Sequence, residues 1–130
     1  MILFDTHALI WLLSDADRLS TRAKDEIEDA RRRAESLAVV DITLLEIASL
    51  FRRGRMQLSM TFKELLDIVE ARFQILPISG KASARTLELP ADYPKDPADR
   101  IIGATAWVEG IPLVTADQRI RKAKAFATIW

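Results

Sequence analysis

The sequence contains no cysteine and a single histidine, His7. Without cysteine, the chain cannot form a disulfide, a thiolate zinc site, an iron–sulfur cluster or a cysteine nucleophile. A single histidine also excludes a metal site built from several histidines. Any catalysis must therefore rely mainly on carboxylates, hydroxyls, lysine or arginine.

Long apolar runs and an excess of one charge are missing as well. No apolar run approaches the roughly 20 residues of a membrane-spanning helix, and the first five residues lack the basic group that begins a signal peptide. Lys+Arg and Asp+Glu each number 19, so the formal net charge is zero. A strongly cationic protein that wraps nucleic acid is therefore not expected, and we predict a cytoplasmic location.

Length and composition predict one domain over residues 1–130. A chain of 130 residues has the size of a typical domain, and 49% apolar residues are enough to fill one core. The sequence has no internal repeat and no low-complexity segment that would indicate a linker.

Short apolar runs alternate with helical patterns along the chain. The predicted strands are residues 2–4, 37–40, 74–78, 111–114 and 126–129. The predicted helices are residues 6–13, 21–36, 43–53, 61–73, 80–89, 96–109 and 117–124. This alternation is typical of an α/β fold with a parallel sheet covered on both faces. Such sheets bind ligands beyond the carboxyl ends of their strands, so functional residues are expected there.

Four acidic residues do not fit the exposed faces of the predicted helices: Asp5, Glu46, Asp99 and Asp117. Asp5 and Asp117 follow predicted strands, and Asp99 lies at the front of an apolar helix. Glu46 lies inside a largely apolar helix. Simpler roles remain open for each, because aspartates commonly cap helices and a buried glutamate can pair with an arginine. Asp96 and Asp99 also have the spacing of a capping box, with Pro97 in the first turn.

Considered together, the four acids suggest a metal site. The carboxyl ends of parallel strands meet at one edge, where Asp5 and Asp117 would lie with Asp99 and Glu46 within reach. Carboxylates gathered in this way repel and raise one another's pKa, and a divalent cation removes the repulsion. Oxygen ligands select a hard ion such as Mg²⁺ or Mn²⁺. Such an ion can activate water and stabilise the leaving oxygen in a phosphoryl displacement.

Five segments, in order along the whole chain, resemble the PIN-domain ribonucleases and, among them, the VapC-like toxins of type II toxin–antitoxin pairs. They are Asp5–Trp11, Ile42–Ala48 with the following Gly54–Leu58, Lys95–Ala106, Leu113–Asp117 and the closing Trp130. The resemblance implies a PIN-domain fold, an α/β/α sandwich whose central parallel sheet has about four to five short strands flanked by helices. It also implies Mg²⁺- or Mn²⁺-dependent endoribonuclease activity on an RNA substrate, inhibition by a VapB-like antitoxin, and a homodimer.

The resemblance also assigns residues. Position by position, it makes Asp5, Glu46, Asp99 and Asp117 the metal-binding and catalytic acids, with Asp96 and Thr115 as accessory polar groups. Two departures from the family pattern lie outside these acids. Pro94 and Lys95 stand where the family often has a histidine, and Val40 and Asp41 stand where it often has a serine.

Two arginine clusters have open roles. The cluster at 52, 53 and 55 follows the Glu46 helix, where it can contact RNA phosphates or antitoxin acids, or stabilise the helix C-terminus. The cluster Arg31–Arg33 either contacts RNA or, as we expect, lies on an exposed helix face in i,i+4 ion pairs. These pairs are Glu28 with Arg32 and Asp29 with Arg33.

Other conspicuous residues have mainly structural expectations. Arg100 is either an ion-pair partner of Asp99 or a phosphate ligand. His7, two residues after Asp5, either approaches the proposed site or, as we expect, packs or hydrogen-bonds on the first helix. Trp11, Trp107 and Phe51 fall on apolar helix faces and are expected in the core or an interface.

Other functions fit the sequence less well. A receiver domain needs a lysine after a late strand, where this chain has Thr115-Ala116-Asp117, and haloacid-dehalogenase phosphatases begin with Asp-x-Asp. The glycines form neither a P-loop nor a G-x-G-x-x-G turn. A catalytically silent domain that binds RNA or a partner protein is the remaining alternative, although a pure binder has no use for a buried Glu46.

Overall fold

The computed structural model describes residues 1–56 and 58–130, and Gln57 of the Gly54–Leu58 segment lies outside the described residues. The strands are β1 (Ile2–Phe4), β2 (Leu37–Val40), β3 (Gln74–Leu76), β4 (Leu113–Val114) and β5 (Thr128–Ile129). The helices are α1 (Thr6–Ser14), α2 (Thr21–Arg32), α3 (Ile42–Arg52), α4 (Phe62–Arg72), α5 (Gly80–Arg85), α6 (Pro97–Glu109) and α7 (Gln118–Ala123). Within the described ranges, no helix is both long and apolar enough to cross a membrane.

The strands form one parallel sheet in the order β3-β2-β1-β4-β5, which confirms the predicted fold class. Leu3 pairs with Ala38 of β2 on one side and with Leu113 of β4 on the other. The strand order therefore reverses at β1, with β2 and β3 on one side and β4 and β5 on the other. In a sheet of this kind, the crevice beyond the carboxyl ends of the strands at the reversal is where ligands bind.

Helices bury both faces of the sheet, which explains the unbroken apolar runs. Phe4 faces a core that includes residues of α1, α2, α3 and α4 and packs edge-on against Phe73, with ring centroids 5.6 Å apart. Leu3 faces the opposite core, which contains Ile102 of α6 and Tyr93 of the preceding loop. Both strand residues are completely buried.

Local residue types explain where several helices begin and end. The hydroxyl of Ser20 accepts a hydrogen bond from Ala23 N at the start of α2, and Thr61 forms a capping box with Glu64 at the start of α4. Gly54 and Gly110 follow α3 and α6 with φ angles of 63° and 64°. Glycine is favoured at these helix ends because this left-handed conformation is strained for other residues.

The predicted end of α2 and its ion pairs are wrong. The helix ends at Arg32 and not near Ser36, and Ala34 takes a left-handed conformation with φ of 54°. Arg31 and Arg32 each pair with an acid three residues earlier rather than four, and Arg33, which follows the last residue of the helix, pairs with Glu35 instead of Asp29. The observed pairs are Arg31 with Glu28 at 3.9 Å, Arg32 with Asp29, and Arg33 with Glu35 at 2.7 Å.

Several other elements are shorter than predicted. The strand predicted over 74–78 ends at Leu76, because Pro77 follows and has no N–H to continue the ladder. The strands predicted over 111–114 and 126–129 begin at Leu113 and Thr128. The helix predicted over 80–89 ends at Arg85 and continues as a 3₁₀ turn.

Candidate active site

The four predicted acids come together in one cleft at the strand-order reversal. This cleft, called the acidic cleft below, has a volume of about 360 Å³ and lies beyond the carboxyl ends of β1 and β4. Its lining includes Asp5, Glu46, Asp99 and Asp117, together with Thr6, His7, Trp11 and Arg119. Asp5 follows β1, Asp117 precedes α7, and α3 and α6 carry Glu46 and Asp99 to the same edge.

Asp5 caps a helix and lines the cleft at the same time. Its Oδ1 accepts a hydrogen bond from Ala8 N at 2.7 Å, while its own N–H donates to Val114 O at 3.1 Å. Close packing removes most of the solvation of this carboxylate and thereby raises its pKa, and nearby Asp117 adds to the rise. The Thr115 hydroxyl, the Ala8 N–H and His7 offset part of it. The capping role predicted for Asp5 is therefore compatible with a role in the cleft.

Glu46 is held by hydroxyl groups and not by an arginine. Thr6 donates a hydrogen bond to Glu46 Oε1, and the Thr6 and Thr43 hydroxyl oxygens lie 3.2 Å apart. Because the Thr6 proton points to Glu46, Thr43 must donate to Thr6, so the chain runs from Thr43 through Thr6 to Glu46. Among the described residues, Glu46 forms no ion pair with an arginine, so that alternative is wrong. Burial raises the pKa of Glu46, and Thr6 offsets part of the rise.

Asp99 lines the cleft, whereas Asp96 lies outside the lining and caps α6. Asp96 Oδ1 accepts hydrogen bonds from Ala98 N at 2.8 Å and Asp99 N at 3.3 Å and so caps α6. Burial is the main cause that raises the pKa of Asp99 to about 7, and the charges of Asp96, Glu46, Asp5 and Asp117 contribute. Asp96 is absent from the lining of the cleft, so it acts there through its charge and its cap.

Asp117 differs from the other three acids because it already has a cation beside it. Its Oδ1 accepts from Arg119 N at 2.8 Å, and its Oδ2 lies 3.2 Å from the Arg119 guanidinium. Burial opposes ionisation, but these contacts with Arg119 outweigh it and lower the pKa of Asp117. The fully buried Thr115 accepts a hydrogen bond from Asp117 N at 3.1 Å and fixes the turn after β4.

Two residues near these acids have roles that differ from their expectations. His7 is exposed and lines the cleft, which fits the alternative that it approaches the site, and its ring centroid lies 6.2 Å from that of Trp11. Arg100 is neither a partner of Asp99 nor turned to the cleft. Its guanidinium donates to Thr86 O at 2.8 Å and to Pro94 O at 3.4 Å, and so anchors the loop before α6.

The arginine cluster at 52, 53 and 55 is exposed at the end of α3. The aromatic residues expected in the core or an interface are partly buried against neighbours. Phe51 packs on Phe62 at a centroid distance of 5.5 Å, and Trp107 lies under the Arg85 guanidinium at 4.6 Å. Trp11 packs on Trp130 at 5.7 Å.

Tyr93 and Gly103 fix the turn of α6 that carries Asp99. The Tyr93 hydroxyl, nearly completely buried, donates to the Asp99 carbonyl oxygen at 3.1 Å. It reaches this oxygen across Gly103, where a Cβ would overlap the hydroxyl and lie 2.9 Å from Phe126 Cζ. Glycine is therefore required inside this helix despite its unfavourable helix propensity. A helical glycine was the sequence signal, but the tyrosine above it is visible only in three dimensions.

The donor set of the cleft fits a hard divalent cation. All four acids offer oxygen ligands, and Asp5, Glu46 and Asp99 form no ion pair with a basic side chain within the described ranges. Among the described residues, no three His, Asp or Glu side chains lie close enough together to bind one metal ion as they stand. A shared cation therefore requires rotation of these side chains toward one another.

The sequence of this chain is similar to those of known proteins. The family profile of the PIN domain matches residues 2–125. Ribonuclease VapC22 of Mycobacterium tuberculosis (strain ATCC 25618 / H37Rv) is 34% identical over 131 aligned residues, which cover 99% of this chain and 98% of that protein.

Solved structures share the fold at low sequence identity. A chain from the crystal structure of VapBC2 of Rickettsia felis, bound to a DNA fragment from their promoter, has a TM-score of 0.73 and 18% identity. The match covers 98% of this chain and 97% of that one. A chain of FitAcB from Neisseria gonorrhoeae has a TM-score of 0.69 and 19% identity, covering 98% and 96%. At these identities, the likeness shows the fold alone.

Replacing Asp99 by asparagine should stabilise the protein at alkaline pH. Because its pKa is raised to about 7 from 3.8, the folded state binds the Asp99 proton more tightly than the unfolded state does. The resulting stabilisation is present below about pH 4 and lost as the pH rises through 7. Asp99→Asn should raise the free energy of unfolding by about 1–2 kcal/mol at pH 8, after allowance for solvent screening, and by little at pH 4. Urea denaturation in EDTA measures this, with the exposed Asp25→Asn as control, and a loss of stability at pH 8 would contradict it.

Gly103→Ala should destabilise the fold through Tyr93. The new methyl group displaces the hydroxyl and should lower the free energy of unfolding by about 1–3 kcal/mol, the usual cost of overpacking. Tyr93→Phe removes the hydroxyl, the nearest of the three atoms that the methyl group meets, and leaves the Cζ atoms of residue 93 and Phe126 at 2.9 Å. The double variant should therefore be less destabilised than the sum of the single variants. Urea denaturation of the four proteins tests this, and additive losses would rule out the contact as the cause.

Proposed function

The chain belongs to the PIN-domain family, and on that premise we propose that it is a divalent-metal-dependent endoribonuclease. The observation that carries the proposal is the acidic cleft, in which Asp5, Glu46 and Asp99 share one space without a basic partner among the described residues. The name of its relative, Ribonuclease VapC22, supports RNA as the substrate.

Asp5 and Asp99 are the proposed direct ligands of Mg²⁺ or Mn²⁺. Glu46 and Asp117 are proposed to hold the ion through water or to orient the attacking water. When bound, the ion would polarise a phosphoryl oxygen and lower the pKa of a bound water. The raised pKa of Asp99 implies that cation binding competes with a proton on its carboxylate near neutral pH.

The hydrogen bonds of the cleft favour Glu46 as the group that orients water. The chain from Thr43 through Thr6 fixes Oε1 as an acceptor, which leaves Oε2 to accept a proton from water. Burial raises the pKa of Glu46 toward the range in which a carboxylate accepts protons efficiently. As the water oxygen bonds to phosphorus, the bond from phosphorus to the leaving sugar oxygen breaks, and that oxygen takes up a proton. Arg119 and Thr115 hold Asp117 as a fixed anion beside this centre.

We further propose the biological role of a toxin. Structures of similar fold are VapBC and FitAcB assemblies, and this supports a type II toxin–antitoxin pair with a VapB-like antitoxin as partner. In this proposal, residues 1–130 form one domain that acts in the cytoplasm as a homodimer and cleaves RNA until the antitoxin binds it.

Asp5→Asn and Asp99→Asn should keep the fold and lose RNA cleavage. We expect rates to fall more than about 100-fold, beyond the 10–100-fold typical for losing an outer partner of a metal ligand. Cleavage of a single-stranded RNA by the purified chain is measured with Mg²⁺, Mn²⁺ or EDTA. Asp25→Asn, an exposed acid of α2, is the matched control and should cleave like the unmodified chain.

Expression in cells separates an enzyme from a silent binding domain. The unmodified chain should stop growth and leave new RNA ends, whereas Asp99→Asn should do neither. Cleavage at the unmodified rate by Asp99→Asn would overturn the site assignment. Failure of the unmodified chain to cleave RNA with either ion would overturn the proposal that it is an endoribonuclease.

A further inference from the structure

One guanidinium lines the acidic cleft and is bound to one of its acids. Arg119, the second residue of α7, is the only Lys or Arg in the described lining of the cleft. Its Nη2 lies 3.2 Å from Asp117 Oδ2. In the described part of the chain, the other three acids form no ion pair with a basic side chain. The chain therefore supplies a positive charge to one acid of the four.

Residue 119 contacts both oxygens of the Asp117 carboxylate. Oδ1 accepts a hydrogen bond from the Arg119 backbone N–H at 2.8 Å and caps α7, while Oδ2 accepts one from the guanidinium. A divalent cation that took Oδ2 as a ligand would lie next to this guanidinium, and like charges so close together repel even in water. The ion pair and a divalent cation therefore compete for the same oxygen.

The two partners differ in their freedom to move. The Asp117 side chain is 27% exposed, and its Oδ1 is tied to the start of α7. The Arg119 side chain is 66% exposed, and within the described ranges its guanidinium has no ion-pair partner besides Asp117. An exposed ion pair of this kind contributes little to stability, so its loss destabilises the fold little. The guanidinium can leave while the carboxylate stays in place.

A guanidinium released inside this cleft has a natural ligand in the phosphate of a nucleic acid. A planar guanidinium contacts phosphate oxygens through two parallel N–H groups. A phosphate that enters the cleft also lies among four carboxylates, whose negative charges repel it. Because Arg119 lines the same space, its charge can offset this repulsion.

We propose that Arg119 is an internal counter-ion that Asp117 exchanges for the divalent cation, and that its guanidinium then binds the phosphate to be cleaved. Without substrate, the ion pair fixes Asp117 and lowers the affinity of the cleft for metal. With substrate, the phosphate draws the guanidinium away and frees Oδ2. This inference rests on the proposed function, and it adds a positioning residue that couples metal binding to RNA binding.

Binding of Mn²⁺ without RNA, measured by titration calorimetry, tests the exchange. Arg119→Gln keeps the backbone N–H that caps α7 but removes the charge, so Mn²⁺ should bind about fivefold more tightly. Arg119→Lys keeps the charge and should restore most of the weaker affinity. Lys122→Gln is the matched control, because Lys122 is an exposed cation of the same helix outside the described lining of the cleft. This control should bind Mn²⁺ like the unmodified chain.

Cleavage of a single-stranded RNA at saturating Mn²⁺ tests the contact with phosphate. Arg119→Gln should lower kcat/KM by about tenfold or more, as expected for the loss of a hydrogen bond to a charged group. Arg119→Lys should recover part of this loss, because it keeps the charge but not the paired N–H groups. Tighter metal binding together with slower cleavage is the expected signature, since a residue that only supports the fold would weaken both.

The two measurements separate this inference from the proposed function. If the unmodified chain cleaves RNA, equal Mn²⁺ affinity or equal kcat/KM of Arg119→Gln and Lys122→Gln would overturn the inference and leave the function intact. If the unmodified chain binds Mn²⁺ but cleaves no RNA, the proposed function fails and the phosphate contact fails with it. The Mn²⁺ titration of Arg119→Gln then decides the exchange alone.

Discussion

Repulsion among partly buried carboxylates is the constraint on which the rest of this site depends. Parallel strands β1 and β4 end side by side, so Asp5 and Asp117 share an edge of the sheet, and α3 and α6 add Glu46 and Asp99. Burial is the largest cause of the raised pKa of Asp99, and the charges of the neighbouring acids are the next largest. Bringing these groups together lowers stability unless a positive charge compensates, and a bound cation is the compensation that the oxygen donors favour.

The fold offsets part of this repulsion with its own helix N-termini. Asp5, Asp96 and Asp117 each accept a backbone N–H in the first turn of a helix, so α1, α6 and α7 all begin at or beside the acidic cleft. The partial positive charge of a helix N-terminus stabilises a carboxylate placed there. Capping and metal binding were alternatives at the level of sequence. In the structure they are compatible, because one carboxylate can cap a helix and still face the cleft.

The sequence predicted the features that depend on local pattern. Unbroken apolar runs predicted the parallel strands, and acids after those runs predicted the gathering of Asp5 and Asp117 at one edge. Contacts between distant segments were not predictable, because only the fold brings Thr6 to Glu46, 40 residues apart. The role of Arg100 was missed for the same reason: its partners are backbone carbonyls, which no residue pattern marks. The predicted ion pair of Asp29 with Arg33 is wrong because the helix ends early, before the left-handed Ala34.

The central claim is that the acidic cleft holds a divalent cation between the carboxylates of Asp5, Glu46, Asp99 and Asp117. A crystal structure of the chain with Mn²⁺, analysed by anomalous diffraction, tests this most directly. We expect an anomalous peak inside the cleft, contacted by carboxylate oxygens of Asp5 and Asp99. Crystals grown with Mn²⁺ that show no peak there, or a peak bound only elsewhere on the protein, would contradict the account.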